Sequence, residues 1–490
     1  MRRPAGFLAA LFALCLASGP LAHILLAADP AAPSPPADPR ALTYPPLSIA
    51  FPKPEKLFLP NGLLVYLFED HELPLVDLAF YMAAGSIYDP PEEVGVAGLT
   101  ARLMITGGTA EMTPDQVDQA IESMPAQLSI DAGSDSVSGS LSTLKARFPE
   151  ALAILASMLR SPRFDASRLD LEKAQVVESI RRRWDTPAMT AGLNFRLLVY
   201  GPASPWARLE TPESIGRIGR NDLLDWTARY VRPNNLIMGV AGDFEPGAMK
   251  KLLRDTFGAW KNGKVTPPAV PKVQGALPVG VHLVDRAIGQ SSIEIGHLGV
   301  NRFDPDKFPL KILSYILGEG GFDSRLVREV RSTRGLAYSV GGGVGLDSDR
   351  GLFEISCRTK AESTVETIQV IREILKQIRE AGPTEDEVRQ AKEASINSFV
   401  FSVDGTVPFM HAYLYYDRYR YPPDFLQTYR DNLAKVTRDQ VARAARKHLE
   451  PDHLVVLVVG NEKKLDHPLA SLGLGDPRRI RLDETASDGR

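Results

Sequence analysis

Arg220-Asn221-Asp222-Leu223 opens a charged, helix-patterned stretch that reaches Arg232-Pro233-Asn234-Asn235-Leu236 and an apolar strand ending Ala241-Gly242-Asp243. Arg438-Asp439-Gln440-Val441 opens a second such stretch, reaching Glu450-Pro451-Asp452-His453-Leu454 and a strand ending Val459-Gly460-Asn461. Arg220 to Arg438, Pro233 to Pro451 and Gly242 to Gly460 all lie 218 residues apart. Identical offsets in helix, turn and strand mark an internal repeat. Glu172-Lys173 and Lys392-Glu393 keep nearly this spacing, and Asp89-Pro90 and Asp304-Pro305 stand 215 apart. The chain is expected to hold two copies of one unit.

Within the copies, alternating apolar stretches (Leu63 to Leu67, Val76 to Met82, Leu128 to Leu144) predict strands. Stretches with 3.6-residue apolar spacing (Glu172 to Trp184, Ala361 to Glu380) predict helices. The two kinds mix without a strict βαβ rhythm, which points to an α+β fold of two homologous sheet-plus-helix domains. Pro267, Pro268, Pro271 and Pro278 mark 261–280 as the connection. The expected domains are 57–260 and 281–465, followed by a tail at 466–490.

A chain of 490 residues exceeds one ordinary core. Its 44% hydrophobic and 24% charged residues are those of a globular protein, and a net charge of -3 with no basic stripe gives no reason to expect nucleic acid. Beyond the N-terminus no apolar run approaches the roughly 18 residues of a membrane span. At the N-terminus, Arg2 and Arg3 precede an apolar run from Gly6 to about Leu26, with small residues at Ala27 and Ala28. This reads as a signal peptide over 1–28, so the product is exported, with a periplasmic location expected. The alternative is an uncleaved membrane anchor. Residues 29–56 carry nine prolines and form a stiff leader. Cleavage removes Cys15 and leaves only Cys357, so no internal disulfide forms. Cys357 ends the strand-like Leu352 to Cys357 and is expected in the core.

Several motifs in order resemble the pitrilysin/insulinase-like metallopeptidases. Leu59-Pro60-Asn61-Gly62-Leu63-Leu64-Val65, then Glu69-Asp70-His71 and Leu73-Pro74, are similar to the family's opening strands. Gly85-Ser86-Ile87-Tyr88-Asp89-Pro90-Pro91 and Gly95-Val96-Ala97 continue the match into the helix that bears the zinc motif in active members. The second copy adds Gly321-Phe322-Asp323-Ser324-Arg325-Leu326 and Arg331-Ser332-Thr333-Arg334-Gly335-Leu336-Ala337-Tyr338-Ser339-Val340. The resemblance covers roughly residues 57–465 and implies the family's two-domain fold.

Active members carry H-x-x-E-H at this helix, two imidazoles one turn apart with a glutamate between them. Here the three positions are Gly98, Ala101 and Arg102. Glycine and alanine offer no ligand, and an arginine cannot be deprotonated to become one. Glu178, 76 residues past Arg102, matches the third-ligand position. It is either a remnant or ion partner of Arg102, or an unrelated helix residue. Of the other histidines, His71, His282, His297, His411, His448, His453 and His467, no two stand four apart, and all read as surface or packing residues. No metal is expected in this chain.

In the second copy, the resemblance implies that Arg331 and Tyr338 reach the substrate at a zinc site. There a guanidinium and a phenol stabilise charge developing on the attacked carbonyl oxygen. Arg328 and Arg334 lie close by as alternative arginines. Gly341-Gly342-Gly343 either lets a substrate backbone approach closely or marks a flexible turn. Gln127, Leu128, Ser129, Ile130, Asp131 and Ala132 resemble the edge strand on which these peptidases lay an extended substrate. The expected function is the non-zinc subunit of a heterodimeric exported peptidase. A homologous H-x-x-E-H partner would bring zinc, and a peptide or unfolded polypeptide would be the substrate. The alternative is an inert scaffold or peptide-binding protein of the same fold. No Gly-rich phosphate loop, cysteine cluster or G-x-S-x-G turn supports unrelated chemistry.

Overall fold

A computed structural model describes residues 51–263, 269–273 and 279–482. The expected signal peptide and nearly all of the leader lie outside them. In the first half the strands are β1 (Glu55–Phe58), β2 (Leu64–Glu69), β3 (Leu75–Met82), β4 (Ala126–Ala132), β5 (Val137–Leu144) and β6 (Leu236–Gly242). Its helices are α1 (Val96–Thr106), α2 (Pro114–Glu122), α3 (Phe148–Arg160), α4 (Ala166–Arg181), α5 (Pro187–Tyr200), α6 (Pro212–Arg217), α7 (Arg220–Tyr230) and α8 (Pro246–Phe257). The stretch expected as one strand from Leu128 to Leu144 is a hairpin, β4 and β5, turning at Gly133 to Ser136.

The second half has strands β7 (Gly280–Asp285), β8 (Gln290–Leu298), β9 (Val300–Asn301), β10 (Ala337–Val344), β11 (Leu346–Asp347), β12 (Leu352–Lys360), β13 (Val455–Gly460) and β14 (Arg478–Arg479). Its helices are α9 (Lys307–Ser314), α10 (Thr364–Ala381), α11 (Glu385–Ser402), α12 (Thr406–Arg418), α13 (Phe425–Ala434) and α14 (Arg438–His448).

One sheet runs β1-β2-β6-β3-β5-β4 and the other, from its matching end, β14-β7-β13-β8-β12-β10. In both, the second and third strands are parallel and the next pairings antiparallel. The chain thus folds as two homologous α+β domains. β4 and β10 are equivalent edge strands. The first position differs, because β1 precedes its sheet and is antiparallel to β2, whereas β14 comes from the chain's other end and is parallel to β7. The tail expected from 466 is therefore partly structural: Leu469 and Leu472 are buried in the second core before β14 adds its strand. β1 likewise begins inside the expected leader.

Each sheet is covered on both faces. Val65, Leu78, Phe80, Met238 and Val240 meet the first half's own helices, and Ile293, Ile295, Phe353, Val456 and Val458 meet the second's. Cys357 is buried in that second core. The opposite faces are covered by exchange. Helix α5 of the first half lays Ala191, Phe195 and Val199 on Val455, Leu457 and Val459. Helix α12 of the second half lays Phe409, Met410 and Leu414 on Tyr66, Phe68 and Ala241. A strand buried on both faces reads as a continuous apolar run, as Val455 to Val459 does. Among the described residues no helix is long and apolar enough to cross a membrane.

Candidate functional site

Asp89 is buried, and its carboxylate accepts the N–H groups of Gly95 (2.9 Å) and Ala97 (3.2 Å) at the start of α1. Burial pushes its pKa up to about 7 against these bonds. Gly95 has φ +107, and a Cβ there would lie 2.6 Å from the Ile215 side chain. Only glycine fits that corner. The helix therefore enters between sheet and α7 at a fixed angle, burying Val96, Ala97, Leu99, Thr100, Ala101, Leu103 and Met104.

The three motif positions keep their expected geometry without donors for a metal. Apart from its chain neighbours and its own helix backbone, no atom lies within 4 Å of where a Gly98 Cβ would stand, and the Ala101 methyl is buried. The Arg102 side chain is 60% exposed, and one guanidinium nitrogen lies 4.0 Å from the buried Glu172 carboxylate. Thr106 Oγ1 donates to that carboxylate's other oxygen at 3.1 Å. The ion partner of Arg102 is thus Glu172, not Glu178. Glu178 is exposed and bonds Arg182 (2.8 Å) and Arg181 (3.7 Å) on its own helix. Ser179, one residue on, faces α1 across a cleft of about 340 Å³ that Gly98, Ala101 and Arg102 also line. Neighbours on a helix are turned by about 100°, so a shift of one residue moves a side chain off the cleft. Gln175 and Arg183, four residues to either side of Ser179, line the cleft too and carry the signal that identifies this face. A glycine, an alanine, an arginine and a serine are not a zinc ligand set, and the residues do not fit that ion.

Ile130, Asp131 and Ala132 of β4 form the cleft's other wall. Leu128, Ile130 and Ala132 pack into the first core, so alternation turns Gln127, Ser129 and Asp131 to the opposite face. Among the described residues β4 pairs only with β5, and its outer edge is free.

Arg331 and Tyr338 are not among the residues that line this cleft. Arg331 belongs to a π-helical segment, Val327–Thr333, that packs against β10, the strand of Tyr338. The ladder shifts between Ala337 and Ser339, which makes Tyr338 the extra residue of a β-bulge and leaves it 58% exposed. The Arg331 guanidinium lies 5.2 Å from the centre of the exposed Phe322 ring. Arg325, Arg328 and Arg334 line a separate groove, where Arg325 is held by Glu387 at 2.7 Å.

Gly341, Gly342 and Gly343 are paired residues of β10, opposite Ser356, Ile355 and Glu354, so the flexible-turn reading does not hold. The room left by Gly342 is filled by Glu354 and Ile355 of β12, and a Cβ on Gly343 would lie 2.7 Å from Ser314. These glycines let a second π-helical segment, Tyr315–Glu319, pack close on the strand.

Among the described residues, two groups elsewhere bring a histidine and two carboxylates within 4.8 Å, Glu69 with His71 and Glu245, and Asp304 with Asp306 and His448. Neither includes a cleft residue. His71 bonds Glu69 and Asp243, and Lys447 sits 2.7 Å from Asp306.

Two repeated sheet-and-helix domains, with a zinc-motif helix lacking its ligands, define the class: an inverted-zincin fold without its metal site. Comparison with known proteins agrees. A family model described as "Insulinase (Peptidase family M16)" matches residues 64–194, and one described as "Peptidase M16 inactive domain" matches 217–395. The chain belongs to peptidase family M16. It is 25% identical over 401 residues to a Helicobacter pylori protein named a non-peptidase homolog, covering 81% of this chain and 91% of that one. It is 26% identical over 406 residues to a Mycobacterium leprae protein named an uncharacterized zinc protease, covering 80% and 88%. A crystal structure of a peptidase M16 inactive domain from Pseudomonas fluorescens superposes with TM-score 0.77 at 26% identity, covering 84% of this chain and 98% of that one.

Proposed function

We propose that this chain is the non-zinc subunit of an exported two-chain zinc metallopeptidase. The observation that carries the reading is an asymmetry. The ligand positions at α1 hold Gly98, Ala101 and Arg102, while Tyr338 is turned outward on a bulge beside the π-helical segment of Arg331. A bulge and a π-helical turn both cost regular hydrogen bonding and recur at functional sites. In this reading a homologous H-x-x-E-H chain brings the zinc, both imidazoles and the general base. This chain brings the Arg331 guanidinium and the Tyr338 phenol, two donors for the carbonyl oxygen of the peptide under attack. It carries no cofactor of its own. Peptides or unfolded segments are the substrate class, with β4 of this chain, from Gln127 to Ala132, as an edge to which an extended segment pairs. Export rests on the N-terminal stretch around Arg2, Arg3 and the apolar run after Gly6.

A second reading, a peptide-holding protein without peptidase work, is favoured by the open cleft beside α1. Purification of the chain from its native extract, with zinc and peptide cleavage assayed on the resulting complex, separates the two. A stoichiometric zinc-bearing homologue with activity supports the shared enzyme. A zinc-free, inactive particle leaves the holding protein.

A further inference from the structure

Removing a metal's ligands ordinarily allows a site to be filled by packing. Here the space stays open, lined by Arg102 and Arg183 together with Asp131 and Glu210. We propose that the cleft beside α1 binds a peptide carboxylate, held by Arg102, at the end of a segment paired to the free edge of β4. The proposal deepens the edge-strand role given to β4 above and rests on it.

Three observations converge. The first is room: the cleft measures about 340 Å³, and nothing beyond the helix's own backbone and chain neighbours stands within 4 Å of where a Gly98 Cβ would be. The second is an under-used cation. A guanidinium carries five N–H donors in a fork that matches a carboxylate. Arg102 spends them on one contact at 4.0 Å, to a Glu172 whose other oxygen Thr106 already serves. The third is the adjoining wall, where the outer backbone groups of β4 lack a strand partner among the described residues.

Of the cleft's other charged residues, Arg183 and Glu210 pair with each other and Asp131 is the remaining acid. Arg183 is engaged with Glu210, donating to its backbone carbonyl at 2.8 Å and lying 3.4 Å from its carboxylate. Asp131 lines the cleft on its β4 wall, with strand alternation turning its side chain from the face of Ile130. Gln175 and Ser179 add neutral hydrogen-bonding groups. A guanidinium stays protonated and generates no nucleophile from water, so the cleft holds its ligand without cutting it.

The test uses the mature chain, without a partner, and a short labelled Val/Thr peptide in three forms. These are the free C-terminal acid, the C-terminal amide, and the amide with a glutamate next to the end. Fluorescence anisotropy gives Kd for wild type, Arg102→Gln and Arg102→Lys. The free acid is expected to bind wild type about tenfold or more tighter than the plain amide, the difference one charge-assisted contact supports. Arg102→Gln should erase that preference, and Arg102→Lys, a charge without the fork, should keep part of it. If the glutamate amide equals the free acid, side-chain carboxylates are bound as well. If it equals the plain amide, the ligand is the peptide terminus. Equal binding of acid and amide by wild type, or a preference that survives Arg102→Gln, overturns the carboxylate site and leaves the edge-strand role standing. Failure of every peptide to bind overturns both.

Discussion

The family resemblance puts Arg102 at the position of the second zinc-binding imidazole, a placement that rests on the sequence. Residues at i, i+3 and i+4 of a helix share a face whatever the rest of the fold does, so Gly98, Ala101 and Arg102 are located by local spacing alone. Glu178 is a different case. Its register depends on every turn and loop between α1 and α4, and one residue of slip exchanged it for Ser179. The Tyr338 bulge was equally hidden, because β12 creates it by pairing past the residue. Glu294 lies buried beside Glu354 with the Ser356 hydroxyl donating to it at 2.5 Å. Burial pushes its pKa from 4.5 up to about 8 against the lowering effect of the Ser356 hydrogen bond, and the nearby Glu354 carboxylate adds to the rise. The folded state therefore binds its proton more tightly than the unfolded one. This contribution to stability is fully present below about pH 4.5 and is lost as pH rises through about 8. Each tenfold in proton affinity is worth about 1.4 kcal/mol, so the loss is of the order of a few kcal/mol. Urea unfolding across this range should show stability falling with pH in wild type, with a clearly smaller slope in Glu294→Gln.

At the scale of elements, the exchange of α5 and α12 between the sheets is the feature sequence reading missed. The apolar pattern of a helix says that one face is buried but not which sheet buries it. The sequence does mark the receiving surface through Gly239 of β6, where a Cβ would lie 2.7 Å from Met410 Cγ and 2.9 Å from Leu414 Cδ1. Close approach of α12 requires the bare backbone. Gly239→Val is expected to destabilise by about 1–3 kcal/mol, the usual range for overpacking. Met410→Ala should recover part of that loss when the two are combined. A double-mutant cycle by urea denaturation reads the coupling, and strictly additive losses would remove α12 from the account of this position.

The two described sheet-and-helix halves are joined by these exchanged helices and by a buried polar clasp. Asp135, in the turn between β4 and β5, accepts the Tyr419 hydroxyl at 2.7 Å and that of Ser348, and lies 3.7 Å from Arg302. The Arg302 guanidinium lies 3.6 Å from the centre of the Tyr419 ring and 3.3 Å from Asp347. Asp135→Ala should cost roughly 2–3 kcal/mol in chemical denaturation, below the roughly 3–5 expected for a fully orphaned charge, because Asp347 still faces Arg302. The two-domain plan itself was legible, since the spacing of 218 residues runs through helix, turn and strand alike. The return of β14 to the second sheet was not, because a two-residue strand carries no period to read. The proposed shared active site is tested most directly by peptide cleavage by the complex of this chain with an H-x-x-E-H homologue, comparing wild type with Tyr338→Phe at unchanged zinc content and assembly. Loss of one such donor predicts a fall in kcat of about 10²–10³. Equal activity of the two complexes would contradict the shared active site.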